Sequence, residues 1–289
     1  MPQLYANLSK NASIPSVSGG ALWADSVNKR LFLFGGEFFN EPPARFTDLL
    51  SYDILADNWV SFGPPNNLIR GVAFGAGVSV SERGEGYYYG GWLSNASTPD
   101  WSGPPVATSG LVRYSMDSNK WSNSTGPDDQ RRAEGVLVYI PAGDAGLLVY
   151  FGGIVDQGNG TVVGQPMTQI FVYDVLSSKW YKQTAAGTVP DMRRRFCAGA
   201  AWAQDQSSYN IYLYGGASVP GEAGAGFDDV YILSLPSFTW VKMYPLDRPA
   251  NKTGDYPHHS LTCSVVAGGS QMLIIGGTFP STDDCDDPW

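Results

Sequence analysis

The stretch Leu31-Phe32-Leu33-Phe34-Gly35-Gly36, an apolar run closed by two glycines, decides how this chain is read, because it returns along the sequence. Its later copies are Tyr87-Tyr88-Tyr89-Gly90-Gly91, Val149-Tyr150-Phe151-Gly152-Gly153, Tyr212-Leu213-Tyr214-Gly215-Gly216 and Leu273-Ile274-Ile275-Gly276-Gly277. First glycines stand 55, 62, 63 and 61 residues apart. A fixed period of this size marks an array of repeated units. Apolar residues at nearly every position of the run predict a strand covered on both faces. The glycines predict a strand end that neighbouring backbone approaches closely.

A second signature follows the first four diglycines. Tyr52/Trp59, Tyr114/Trp121, Tyr173/Trp180 and Leu233/Trp240 share one spacing, with turn formers such as Ala56-Asp57-Asn58 between the members. That spacing predicts hairpins whose two rings lie directly opposite each other on one sheet face. A further strand precedes each diglycine run: Ala21–Trp23, Gly71–Phe74, Gly135–Tyr139, Ala198–Trp202 and Leu261–Val266. Each unit therefore reads as a four-stranded meander of inner, diglycine, Tyr and Trp strands. No segment carries a capped amphipathic helical period, and 35 Gly with 20 Pro suit a turn-rich all-β chain.

Diglycine, Tyr and Trp at these spacings resemble the kelch repeat of β-propellers, over nearly the whole chain. The long period and the glycosylation sequons are similar to fungal secreted or cell-surface kelch proteins with a galactose oxidase central domain-like architecture. The resemblance implies an all-β kelch propeller of four-stranded blades, with residues 1–289 forming a single propeller fragment. Residues 1–15 are expected to be the remnant of a preceding blade. About four complete blades follow, and 255–289 form a partial last blade. Since propellers avoid open edges by closing radially, the native protein is expected to be longer, with six or seven blades.

Composition narrows the class. The net charge is −9 and no apolar run is long enough to span a bilayer, so a membrane anchor is expected only in sequence outside this segment. Acidic balance argues against nucleic acid. Met1-Pro2-Gln3-Leu4 lacks the features of a signal peptide. Yet six of the 13 Asn residues lie in N-x-S/T sequons: Asn7, Asn11, Asn95, Asn123, Asn159 and Asn251. All six are placed in turns or loops, and they point to an extracellular or cell-surface location through the secretory pathway. Of three cysteines, Cys197 and Cys263 fall on inner strands of adjacent units. They could approach each other and are read as small buried thiols. Cys285, in an acidic tail, is the candidate for a disulfide to sequence outside the chain.

Catalytic motifs are sparse. The only histidines, His258 and His259, are adjacent, and neighbouring strand residues face opposite ways. The kelch-propeller copper-radical oxidases use two well-separated His ligands, two Tyr and a Cys, a set this chain does not supply. No catalytic residue, metal or cofactor is assigned. Basic residues do recur near the inner strands: Arg70, Arg132, Arg195 and His259. Repeat logic places them on one rim, where Arg donors would grip a carboxylate-rich peptide or an anionic glycan. The competing reading makes them inter-blade struts, with Asp48, Asp228 and Asp229 as partners. Loop aromatics, Trp92, Trp101, Phe38 and Phe39, offer stacking surface for a sugar or a peptide. The expected function is a non-catalytic interaction module with a protein or glycan ligand. The alternative is the remnant of an oxidase-like enzyme whose metal site lies elsewhere.

Overall fold

The computed structural model describes residues 14–38, 48–65, 69–222, 224–247 and 254–280. The chain divides into two compact units, Met1–Ala133 and Glu134–Trp289. The described residues are built from strands, as the sequence predicts.

The first unit holds two antiparallel four-stranded meanders. One runs β1 (Ala21–Asp25), β2 (Arg30–Phe34), β3 (Leu50–Asp53) and β4 (Asn58–Ser61). The other runs β5 (Ala76–Val80), β6 (Glu85–Tyr89), β7 (Gly110–Ser115) and β8 (Lys120–Thr125). The diglycine strand β6 is buried along its whole length. Between the two sheets Trp23, Phe32, Phe34, Tyr88 and Tyr114 form one core. Trp23 stacks on Phe34 and donates its indole N–H to the Tyr87 carbonyl, 3.0 Å.

The second unit repeats the plan. β9 (Val136–Ile140), β10 (Leu147–Phe151), β11 (Gln169–Asp174) and β12 (Lys179–Thr184) form one meander. β13 (Cys197–Trp202), β14 (Tyr209–Ser218), β15 (Gly226–Leu235) and β16 (Thr239–Tyr244) form the next. β17 (Thr262–Val266) and β18 (Gln271–Ile275) make a two-stranded sheet. Phe151, Ile170, Ile211, Leu213, Leu233 and Trp240 lie in the core between the two meanders. There the Trp240 indole N–H reaches the Met167 carbonyl, 2.9 Å.

The Tyr/Trp spacing works as read. Tyr52 faces Trp59, Tyr114 faces Trp121, Tyr173 faces Trp180 and Leu233 faces Trp240 in register. Ring centroids of the three aromatic pairs lie 5.3, 4.5 and 5.1 Å apart. Tyrosine adds a second contact: the hydroxyls of Tyr52 and Tyr114 bond Asp57 and Asn119, the positive-φ residues of their turns. In the fourth repeat Leu233 replaces Tyr and the positive-φ turn residue is Phe238, so both hydrogen-bonding partners change together.

Three expectations need correction. The inner strand of the second repeat is not Gly71–Phe74 but Ala76–Val80. Phe74 has φ +54°, and a Cβ on Gly75 would strike the Tyr88 ring, so the chain turns there before the strand begins. Cys197 and Cys263 are not free thiols; they form a disulfide with a Cα–Cα distance of 5.6 Å, joining inner strands β13 and β17. Asn123 lies not in a loop but on β8, where its side chain is exposed.

The diglycines join one repeat to the next. The second glycine of each of the first four pairs donates its N–H to a carbonyl of the following repeat. The bonds are Gly36 to Val72 (2.8 Å), Gly91 to Arg132, Gly153 to Arg193 and Gly216 to His258 (2.9 Å each). Both glycines of every pair have positive φ, a conformation other residues adopt only under strain. Gly35 and Gly276 separate strain from packing. Their φ values are +66° and +67°, but a Cβ on Gly35 would collide with the Val72 carbonyl, while Gly276 faces open space. Gly276→Ala should therefore cost about 1 kcal/mol, the left-handed strain alone. Gly35→Ala should cost about 1–3 kcal/mol more, for the forced displacement. Equal losses in urea denaturation would show that the carbonyl contact does not constrain the fold.

Candidate functional site

The joints fix which residues are equivalent. Two residues past each carbonyl that clasps a diglycine stands a positive-φ residue, Phe74, Glu134, Arg195 or Ser260, and Gly19, two past Val17, has the same place in the first repeat. Their backbones bond in succession, Phe74 N–H to Gly19 carbonyl (2.7 Å) in the first unit. In the second, Arg195 bonds to Glu134 (2.9 Å) and Ser260 to Arg195 (2.8 Å). The clasp position itself holds Val72, Arg132, Arg193 and His258. The four basic residues expected on one rim thus do not share a repeat position. Arg132 is a clasp residue, Arg195 a positive-φ residue, His259 lies between those two kinds, and Arg70 precedes its clasp by two. Aligning Gly20, Gly75 and Gly135, each just after its positive-φ residue, would have shown this register in the sequence.

The arginines at the clasp are scaffold. Arg132 is buried, with its guanidinium bonded to the Asp128 carboxylate (Nη2 to Oδ2, 2.8 Å) and to the Tyr89 hydroxyl (3.2 Å). Arg193 is fully buried. It pairs with Asp229, donates to the Gly215 carbonyl (3.0 Å) and lies over the Phe227 ring at 4.0 Å. His258 repeats this, with Nε2 donating to the Gly276 carbonyl at 2.8 Å and its ring stacked on Phe279 at 3.9 Å. Burial pushes its pKa below the usual imidazole range. Of the partners expected for the rim arginines, Asp229 takes Arg193 rather than Arg195, and Asp228 accepts the Tyr256 N–H.

Beside these, buried Glu134 is held by two arginines. Arg194 Nη1 reaches Oε2 and Arg195 Nη2 reaches Oε1, both at 2.9 Å. His259 bonds the Ser260 hydroxyl at 3.0 Å, and burial followed by the charges of Arg195 and Arg194 lowers its pKa. Among the described residues no group of three or more His, Cys, Asp or Glu is placed to hold a metal ion.

The arrangement open to a ligand lies in the first unit, in a cleft of about 460 Å³. Phe38, Asp48, Arg70, Thr98, Asp100 and Trp101 contribute to its lining. One wall is Ser97–Trp101, held by a turn in which the Thr98 N–H bonds the Ser94 carbonyl, 2.8 Å. The Phe38 N–H bonds the Ala96 carbonyl (2.9 Å) and the Thr98 hydroxyl bonds the Gly71 carbonyl (2.6 Å), fastening that wall to both neighbouring segments. Of the expected site residues only Arg70 lines the cleft, joined by the loop aromatics Phe38 and Trp101. Trp92 sits half-buried at the base of the same loop, paired through its backbone with Ala73. Asp100 carried no sequence signal; its φ of +63° gives it a place only the folded loop defines. Phe39 lies outside the described residues. Asn95 and Asn159 are exposed in turns or bends, whereas Asn7, Asn11, Asn251 and Cys285 lie outside the described residues.

Two measurements separate scaffold from site. Arg193→Ala leaves the Asp229 carboxylate buried without its cation and should destabilise by about 3–5 kcal/mol; a melt within a degree of wild type would free Arg193 for another role. For Glu134, burial raises the pKa, but hydrogen bonds and charge from Arg195, then Arg194, outweigh it and lower the net value. Its stabilisation is therefore full above the unfolded glutamate pKa of about 4.3 and is lost as pH falls through the lower folded value. Melting temperature followed from pH 7 downward should fall less steeply below that point in Glu134→Gln than in wild type. Identical slopes would remove the two-arginine clamp as a source of stability.

No family model matches the chain. It is 33% identical, over 317 aligned residues, to a kelch repeat-containing protein of Arthroderma benhamiae, in a match covering 95% of this chain and 45% of that protein. The chain thus spans less than half the length of the curated relative it matches. Extending along almost all of a chain whose sheets repeat in this way, the likeness supports a place in the kelch-repeat family, at the level of the family and no finer.

Proposed function

We infer that the chain is part of a non-catalytic kelch-repeat interaction module, in a secreted or cell-surface protein, whose ligand is a protein or a glycan. Its repeats belong to a longer propeller that closes with sequence beyond this segment. The observation that carries the reading is the contrast between committed and uncommitted charge. Arg132, Arg193, Arg194 and Arg195 are engaged by Asp128, Asp229 and Glu134. The first-unit cleft instead keeps an exposed guanidinium beside aromatic surface. That is the composition of a recognition surface.

Secretion is supported by the Cys197–Cys263 disulfide, since such bonds persist in oxidising compartments. Exposure of Asn95, Asn123 and Asn159 in their sequons adds to it. The reading invokes no cofactor.

The test is display of the full chain to peptide and glycan arrays, with product analysis of whatever is retained. At least one ligand class should be held and recovered chemically unchanged. Retention of neither class, or conversion of a retained ligand, would overturn the reading. Protein recovered from culture medium should carry the Cys197–Cys263 bond and glycans at Asn95, Asn123 and Asn159. A chain found only inside cells with free thiols would overturn the secreted location.

A further inference from the structure

The cleft of the first unit has features that narrow its ligand. Among the described residues the Arg70 guanidinium and the Asp100 carboxylate make no ion pair and no side-chain hydrogen bond, and both residues are exposed. Asp48 commits one oxygen, Oδ2, to the Ser61 hydroxyl at 2.6 Å. Trp101 donates its indole N–H to the Pro104 carbonyl at 3.1 Å, which ties the edge of the ring and leaves a half-exposed indole on the cleft wall.

We propose that this cleft binds an uncharged oligosaccharide, with a sugar ring packed on Trp101 and sugar hydroxyls bonded by Arg70, Asp48 and Asp100. The proposal rests on the interaction-module reading and specifies its ligand. A pyranose carries C–H groups on its faces and hydroxyls around its rim. It therefore needs aromatic surface together with donors and acceptors in one place. Trp101 and Phe38 supply the first, Arg70 the donors and the two aspartates the acceptors. The charge balance selects against other ligands. Among the described lining residues two carboxylates stand against one guanidinium, a net negative balance that disfavours acidic peptides and acidic sugars. Apolar lining residues such as Phe34, Leu50 and Ile69 are buried in the core, so they provide no deep pocket for a peptide side chain. The volume lies within the ~300–1,000 Å³ typical of small-ligand sites.

The test is calorimetric titration of the full, enzymatically deglycosylated chain. Neutral probes are cello-, laminari-, manno- and chito-oligosaccharides; charged probes are heparin fragments and an acidic peptide. At least one neutral series should bind saturably. Trp101→Ala and Arg70→Ala should each weaken that binding about tenfold, as expected for central contact residues. Trp101→Phe, which keeps an aromatic face, should retain most of it. Arg70→Ala should leave the melting temperature unchanged, because Arg70 is exposed, while Trp101→Ala should lower it slightly and still melt cooperatively, because the ring is half-buried and its indole N–H bonds the Pro104 carbonyl. Neutral-sugar binding insensitive to both variants would place the site elsewhere and overturn the proposal. Binding only of heparin or peptide would overturn the ligand class while the interaction reading survived. Silence toward every probe would also overturn the proposal, and the array experiment would then decide whether the broader reading falls with it.

Discussion

A single hydrogen bond, from the second glycine of each of the first four diglycines to a carbonyl of the next repeat, constrains most of what surrounds it. It recurs at Gly36, Gly91, Gly153 and Gly216 with nearly constant length. Making it requires two successive residues at positive φ and a neighbouring backbone at contact distance, which only glycine satisfies without strain. The apolar strand leading into it must then lie between neighbours, and this accounts for Tyr87, Tyr88 and Tyr89 being buried on both faces of one strand. In β18 the diglycine remains but no third strand lies beside it among the described residues. There Leu273 and Ile275 are exposed instead.

The same joint explains why charge is buried in the second unit. Arg193 gives its backbone carbonyl to Gly153 of one repeat and its guanidinium to the Gly215 carbonyl of its own. Removing a guanidinium from water is costly unless a counter-charge accompanies it, and Asp229 is that counter-charge. His258 performs both tasks with a smaller ring, bonding Gly216 through its carbonyl and the Gly276 carbonyl through Nε2. A neutral imidazole needs no buried anion, which agrees with its lowered pKa. The two side chains are alternative solutions to one geometric demand.

The parts of this architecture set by local periodicity were legible in the sequence. The diglycine strands, the facing Tyr/Trp pairs and the order of strands in each meander follow from spacing and side-chain alternation. Positions set by backbone conformation were harder to read. Phe74, Glu134 and Arg195 adopt positive φ although nothing in their residue types asks for it, so the inner strand of the second repeat and the register of the basic residues were misplaced. The Cys197–Cys263 bond depended on β13 and β17 standing side by side, a distance that sequence separation does not give. In the candidate site, Arg70, Trp101 and Phe38 stood out by type. Asp100 did not, because its place depends on how the Ser94–Trp101 segment folds back.

The cleft sits beside a clasp position that carries no charge. At the clasp position the third, fourth and fifth repeats carry Arg132, Arg193 and His258, and each of these turns its polar group inward to bonded partners. The second repeat has Val72, which packs into the core and makes the backbone bond without any side-chain charge. No buried carboxylate is then required, and the nearest arginine in sequence, Arg70, lies two residues earlier and exposed. The loop that follows Gly91 is fastened over the same segment by Thr98 on Gly71, which brings Trp101 and Asp100 to line the cleft with it. Beside Val72, a guanidinium, two carboxylates and aromatic surface lie together in the lining of the cleft. The polar groups of the cleft that are left uncommitted thus lie beside a joint that has no need of charge.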